Sequence, residues 1–330
     1  MKILVTGGTG FVGSHAVAEL QRSGHAVRLL ARNPTKVAGV LGPLGAVADE
    51  VVVGDMTDAD RVSEALEGCE AVVHCAAEIG VAGGRGPTSA ANIDGARLVI
   101  DGALDRGLDP VVYISTVMVH LPTPDPVLGP ESPLAEPLSA YGAQKSTIER
   151  FVQERQRAGA PVTTLVVGGV YGPTSPHLDG SFSAILASLA AGMYAPDSGL
   201  GVVDVRDLAV IIGRAVEPDR GPRRYLVSGR YVTWEDWAAL LAEVSGRPVP
   251  YHRASPEDMI ALGRKFDELR ASGQDLPPLS EEAAIVMSSG RPGDDSATLA
   301  AFGVTYRPTV ETFRDTVRWL RHTGHLGTDG

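Results

Sequence analysis

Two cysteines, Cys69 and Cys75, are all the chain has, and no histidine joins them at metal-ligand spacing. A disulfide framework and a structural zinc site are therefore not expected, and no metal is assigned. Apolar runs approaching the roughly 18–20 residues that cross a bilayer are missing too. So is any excess of cations: 29 Lys and Arg stand against 40 Asp and Glu, a net charge of −11. That balance disfavours nonspecific binding to nucleic acid or to an anionic membrane surface. The opening MKILVTGG reaches glycine after a short apolar stretch, so it reads as a buried strand and not as a signal peptide. What these absences leave is the expectation of a soluble, cytoplasmic protein with reduced thiols, and no function yet. Its 330 residues, 44% of them hydrophobic, suffice for one large domain with a smaller lobe.

The first half alternates short β-rich runs with helical stretches. KILVT (2–6), AVRLLA (26–31), EVVVGD (50–55), AVVHCA (71–76), PVVYIS (110–115) and VTTLVV (162–167) are apolar almost throughout, as expected of parallel strands covered on both faces. Helical segments near 11–23, 58–67, 90–106 and 139–158 lie between them. The alternation predicts an α/β fold with a doubly wound parallel sheet of the Rossmann kind. Residues 117–138 carry six prolines and are expected to form a long loop. From 172 onward the pattern becomes mixed, with helices near 206–216, 256–272 and 309–322, a strand at 224–229, and a helix opened by the cap TWED (233–236). The expected division is a dinucleotide-binding domain over 1–171, to which part of the later chain returns, and a mainly substrate-binding α+β lobe over 172–330.

Between the first strand and first helix stands GGTGFVG. Gly7 allows the tight bend, Gly10 lets the backbone approach a pyrophosphate, and Gly13 lets the helix pack closely on the strand. Phosphates would rest on the helix N-terminus, where free N–H groups and the dipole favour anions, so the backbone of Thr9, Phe11 and Val12 is expected in the cradle. The second strand ends in LLARNPTK, with Arg32 and Lys36 where an NAD site would offer a carboxylate. Charge-assisted hydrogen bonds from these cations suit a 2′-phosphate, so NADP(H) is favoured over NAD(H). In GDMTD after the third strand, Asp55 is a candidate acceptor for the adenine amino group, with Met56 beside it. Capping the next helix is its competing role, which Asp58 can also fill.

Tyr141 and Lys145 stand four residues apart in SAYGAQKSTIERF, a spacing that puts both on one helix face. Taken in order, TGGTGFVG, GDMTD, VVHCAA, NIDG (92–95), YIST (113–116), YGAQK (141–145), VYGP (170–173) and VDVRDLA (203–209) resemble an extended short-chain dehydrogenase/reductase of the NAD-dependent epimerase/dehydratase family. The NADP-dependent branch with dihydroflavonol-reductase-like and 3β-hydroxysteroid-dehydrogenase-like proteins is the most similar.

That resemblance implies roles. Tyr141 is the general acid in reduction and the base in oxidation. Lys145 binds the nicotinamide ribose hydroxyls and lowers the phenol pKa. Thr116, 25 residues before the tyrosine, falls at the catalytic Ser/Thr position, with Ser115 as the neighbouring hydroxyl. Ala76 and Ala77 line the nicotinamide ribose, Asn92 organises the site, and the backbone at Val167 contacts the carboxamide. A homodimer through the helices near 90–106 and 139–158 is a further implication. A cation one turn from a phenol is physically apt, because a phenol's ordinary pKa near 10 must fall for it to work near neutrality.

The chain departs from the family pattern in places. Val166 and Val167 replace Arg-Pro ahead of VYGP. Val119, His120 and Leu121 replace the Val-Tyr-Gly common in sugar epimerases. Val117 and Met118 stand where sugar dehydratases carry an Asp-Glu pair, which argues against a dehydratase. Elsewhere His74 and His15 read as structural, His15 at the surface of the cofactor domain, while His120 and His177 lie in loops that border the expected pocket. Asp207 reads as a helix N-cap, with Arg206 able to face the cleft and hold an anionic or hydroxylated substrate. Trp234 and Trp237 fit a packing face, and both thiols look inert. The expected function is an NADP(H)-dependent reductase/dehydrogenase acting on a small or medium ketone or secondary alcohol. A nucleotide-sugar epimerase with tightly bound NAD and a non-catalytic NADP sensor are the alternatives.

Overall fold

Most apolar runs of the first half become the core of a parallel sheet, buried on both faces; the run at 50–53 does not, because it ends the sheet and leaves Val51 and Val53 exposed. The structure, a computed structural model, describes residues 1–76, 89–137, 140–178, 180–274, 276 and 279–327, without the side chains of Ser89, Ala140 and Tyr141. The chain runs β1 (Lys2–Thr6), α1 (Phe11–Arg22), β2 (Ala26–Ala31), α2 (Val37–Leu41), β3 (Glu50–Val53), α3 (Ala59–Leu66), β4 (Ala71–His74), α4 (Ser89–Leu104), β5 (Val111–Thr116), α5 (Ala140–Arg157) and β6 (Val162–Val167). It continues through β7 (Gly169–Tyr171), α6 (Gly180–Ala191), β8 (Met193–Ala195), β9 (Gly199–Asp204), α7 (Val205–Ala215) and β10 (Arg223–Val227). Last come β11 (Arg230–Thr233), α8 (Trp234–Ser245), β12 (Tyr251–Arg253), α9 (Pro256–Ala271), α10 (Glu281–Ser289), α11 (Ser296–Phe302) and α12 (Thr309–His322).

Seven strands form one sheet in the order β10-β6-β5-β4-β1-β2-β3, every neighbour parallel. The order reverses between β1 and β4, so the crevice beyond their carboxyl ends is where a doubly wound sheet binds its ligand. Ile3, Leu4, Val5, Val72 and Val73 are wholly buried, as central parallel strands require. β10 comes from beyond residue 172 and forms the outer strand next to β6, while α7 packs its buried Leu208, Ile211 and Ile212 into the core shared with Val17 and Leu20 of α1.

The smaller C-terminal lobe has a three-stranded sheet, β11-β9-β7, and a two-stranded one, β12-β8. An aromatic cluster fills it: Trp237 meets Phe313 at 4.7 Å and Tyr171 at 5.2 Å, both edge-on. Trp234 and Trp237 are thus packing residues. The helix they open is capped as TWED predicts, the Thr233 hydroxyl accepting from the Asp236 backbone N–H at 3.1 Å. Of the proline-rich stretch, residues 117–120 form a 3₁₀ turn. The chain beyond is irregular and pinned to the other lobe: Leu128, 1% exposed, exchanges backbone hydrogen bonds with Pro292 and Asp294. Among the described residues, no helix is long and apolar enough to cross a membrane.

Two expectations are corrected where β9 meets α7. The N-cap is Asp204, whose carboxylate accepts from the Arg206 backbone N–H at 2.9 Å; Asp207 lies in the first turn and pairs with Arg307 at 2.8 Å. Both acids precede or open the same apolar run, and only the strand's end decides between them. Arg206 does not face the cleft. Its guanidinium is bound by Asp204 and by Asp315, each at 2.8 Å, and Thr312 donates to Asp204. Asp204, 1% exposed at its side chain, therefore ties β9, α7 and α12 together. Replacing it leaves Arg206 half-buried without its main partner, so Asp204→Ala should lower unfolding free energy by about 3–5 kcal/mol. Urea denaturation reads this directly; a loss under about 1 kcal/mol would contradict the role.

Candidate active site

Four strand ends converge on the crevice. Thr6 pairs with His74 across β1 and β4, His74 with Tyr113 across β4 and β5, and Thr116 with Val167 across β5 and β6. The Thr6 hydroxyl is hydrogen-bonded to His74 Nδ1 at 2.7 Å and accepts from the Ala76 N–H at 3.4 Å, which fixes the backbone after β4. Burial pushes His74 down to about 3, so it is a neutral structural ring stacked on Tyr113.

The glycine turn has little room for side chains. Gly7 sits at φ 74°, and a Cβ there would lie 2.7 Å from the Ala76 nitrogen. A Cβ on Gly13 would lie 2.2 Å from the Gly7 carbonyl oxygen, so helix and strand touch through bare backbone. Gly10 is the N-cap of α1 and offers no side chain to cap it; the first turn has no acid either. The amides of Phe11, Val12 and Gly13 thus have no side-chain cap, as an anion cradle needs. Thr9 lies between Gly8 and Gly10, half-buried. The Phe11 ring is not at the ligand side: it packs against Phe182 at 5.2 Å and His15 at 5.5 Å, leaving only its N–H for a phosphate. His15 is likewise not at the surface but buried, its Nε2 3.2 Å from the Thr174 carbonyl oxygen. A diphosphate therefore fits the turn.

At the end of β2, Arg32 is 65% exposed and 3.9 Å from Asp55, and Lys36 is exposed at the close of a 3₁₀ turn. Asp55 folds its own turn, accepting from the Thr57 N–H at 2.9 Å and hydroxyl at 2.7 Å, which holds its carboxyl below the usual range. Asp58 caps α3. Met56 packs over Gly95 of α4, where a Cβ would meet it at 2.5 Å. Ala76 is half-buried beside Gly7, and Ala77 lies outside the described residues.

Across the crevice, Lys145 is 7% exposed; its ammonium donates to the Ile114 carbonyl at 3.1 Å and sits 5.2 Å from the Tyr113 ring centre. Burial pulls its pKa from the ordinary lysine value down to about 8, against the opposing pull of Glu149. Tyr141 lies one turn earlier on α5, within the described backbone but with its side chain outside the description. Ser115 is 4% exposed, and its hydroxyl has no hydrogen-bond partner among the described residues. Thr116 ends β5 partly exposed, its hydroxyl accepting from the Met118 N–H at 3.3 Å. Val166 and Val167 are buried at the end of β6. Asn92 is 5% exposed and donates to the Gln144 side chain at 2.8 Å, locking α4 to α5 beside Lys145.

Some expected neighbours are elsewhere. His120 does not border the cleft: it is fully buried in the 3₁₀ turn, Nδ1 3.0 Å from the Pro133 carbonyl oxygen. His177 is exposed in a local turn with Ser175. Both thiols are protonated at neutral pH, with Cys75 pushed up to about 12 by burial. No group of three or more His, Cys, Asp or Glu side chains among the described residues could hold a metal ion. A buried pair, Glu149 with Arg224 at 2.8 Å, was not legible in the sequence, since its partners are 75 residues apart.

Residues 3–227 match the family model of the NAD dependent epimerase/dehydratase family. The chain belongs to that family. This extended short-chain dehydrogenase/reductase is 29% identical to sterol demethylase protein B of Methylococcus capsulatus, over 99% of this chain and all of that one. It is 32% identical to a 3-beta-hydroxysteroid dehydrogenase of Mycolicibacterium neoaurum over 46% of this chain and 42% of the relative. In fold it is similar to a UDP-glucose-4-epimerase from Stenotrophomonas maltophila solved with bound NAD, at a TM-score of 0.78 and 19% identity, covering 98% of this chain and 99% of that one. The enzyme is thus of an oxidoreductase, epimerase and dehydratase family, and several solved structures that share its fold, this epimerase among them, hold NAD.

Gly13→Ala tests the turn. The added methyl must push α1 away from the Gly7 carbonyl, so affinity for a nicotinamide dinucleotide should fall at least about tenfold, with a stability loss of roughly 1–3 kcal/mol. Fluorescence titration with NADPH and NADH measures the first, and unchanged affinity would refute a cradle at this glycine.

Proposed function

We propose that the protein is an NADP(H)-dependent reductase/dehydrogenase that interconverts a small or medium ketone and the corresponding secondary alcohol. The observation that carries this reading is the buried Lys145 ammonium, one helical turn from Tyr141 and bonded to the Ile114 carbonyl, which Ser115 and Thr116 follow at the carboxyl edge of β5. A nicotinamide dinucleotide, when bound, supplies or accepts the hydride. The Tyr141 phenol gives its proton to the substrate oxygen in reduction and takes it back in oxidation. Thr116 is assigned the hydrogen bond to that oxygen, and Lys145 the ribose hydroxyls and the field that makes the phenol acidic enough. Ser115 is the adjoining hydroxyl; the backbone at Ala76, Ala77 and Val167 lines the nicotinamide end, and Gly7 to Gly13 take the diphosphate.

Arg32 and Lys36 at the end of β2 support NADP(H), since no carboxylate occupies their place and a guanidinium suits a phosphate. Asp55 and Met56 flank the adenine in this reading. Val117 and Met118, both apolar, supply no acid–base pair for water elimination. Relatives named for a 3-beta-hydroxysteroid and for a 2-alkyl-3-oxoalkanoate support alcohol–ketone chemistry at a carbon skeleton. A homodimer through α4 and α5 belongs to the same proposal, and light scattering of the purified protein tests it. The epimerase reading keeps the Tyr141–Lys145 pair but requires NAD that stays bound through purification; exchangeable NADPH excludes it.

Three outcomes are expected from NADPH-oxidation assays over a carbonyl panel. Tyr141→Phe should cut kcat by about 10²–10⁴-fold, and full turnover would dismiss the phenol as the acid. Arg32→Ala should raise the KM for NADPH by about tenfold or more while hardly changing that for NADH; equal effects on both would remove the 2′-phosphate assignment. Because burial brings Lys145 to about 8, its charge is present below that pH and lost above it. Activity should accordingly decline as pH rises through about 8, and a flat profile to pH 10 would separate Lys145 from turnover.

A further inference from the structure

Lys145 is an ammonium almost without solvent, and desolvation alone favours its neutral form. Its surroundings supply few counter-charges. From β4 it faces His74, neutral because burial holds it near 3, and Cys75, a protonated thiol because burial lifts it to about 12. From β5 it faces the Tyr113 ring and the Ile114 carbonyl, and on its own helix Tyr141 precedes it by one turn. His120, in the 3₁₀ turn after β5, is kept toward its neutral form by burial.

One carboxylate stands out among the described residues. Glu149 is fully buried and follows Lys145 by four positions on α5, so both occupy one face of the helix. Its Oε2 accepts from Arg224 of β10 at 2.8 Å, while Oε1 has no hydrogen-bond partner among the described residues. Arg224 is itself held by the Pro130 carbonyl, and its side chain is 9% exposed. Arg224 is thus the charged partner that a buried carboxylate requires, and it occupies one oxygen only.

We infer that Glu149, anchored by Arg224, is a positioning residue that keeps the Lys145 ammonium charged inside the protein. Its catalytic consequence rests on the function proposed above. The pair also explains how the strand farthest along the chain in the large sheet reaches the site: β10 contributes through Arg224, which fixes the anion that fixes the cation.

The chain has four lysines, so ¹⁵Nζ or ¹³Cε spectra of lysine-labelled full-length protein can follow Lys145 directly, assigned by its loss in Lys145→Arg. Glu149→Gln should lower the Lys145 titration midpoint by about one pH unit or more, and the alkaline limb of turnover should move down with it. Because Glu149→Gln strands a buried guanidinium, the double variant Glu149→Gln/Arg224→Met is made beside it, removing both charges. Recovery of thermal stability in the double variant with the Lys145 midpoint still lowered supports the inference. An unchanged midpoint in both variants, or a wild-type midpoint in the double variant, overturns it and leaves the pair a structural tie. If the midpoint moves while turnover ignores it, the charge inference stands and the catalytic role of Lys145 proposed above falls.

Discussion

A cation held in a dry place governs this site. The Lys145 ammonium has one backbone carbonyl, one aromatic face and one carboxylate a helical turn away to replace its water. The first two come from β5, and the third from α5, tied to β10. The parallel sheet must therefore be assembled in its full order before the lysine has a stable environment. The Asn92–Gln144 bond between α4 and α5, and the Thr6–His74 contact between β1 and β4, serve the same end by fixing the walls around it.

The cofactor side obeys a different constraint, the closeness of bare backbone. Gly7 against Ala76 and Gly13 against Gly7 bring β1, β4 and α1 nearer than any side chain would allow. An uncapped helix start results, directed at the crevice where strand order reverses. Charge enters at the far end of β2, through Arg32 and Lys36 on the open surface with Asp55 near the first. In the function proposed here, rigid, neutral geometry is assigned the middle of the dinucleotide and exposed cations its end.

What could be read from the sequence was what is local. The glycine turn follows from spacing over seven residues, the Tyr141–Lys145 face from helix periodicity, and the buried strands from unbroken apolar runs. Asp204 and Asp207 were confused because both are acids at the start of the same helix, and the cap belongs to whichever ends β9. His120 and Arg206 looked like loop and cleft residues because their partners, Pro133 and Asp315, are distant or irregular in sequence. Glu149 and Arg224 are invisible in the same way: a charge in SAYGAQKSTIERF has the pattern of a solvated helix face until β10 covers it. The short strands β8 and β12 depend on tertiary pairing more than on their own residues.

The late arrival of β10 has a bearing on how the protein is made. Until residue 227 has emerged from the ribosome, β6 is an open edge with unpaired N–H and C=O groups. A nascent chain halted before that point carries an incomplete sheet and a lysine whose counter-charge has no anchor. Synthesis thus places a checkpoint two-thirds of the way along the message, where shielding of the sticky edge and electrostatic completion of the pocket occur in one step.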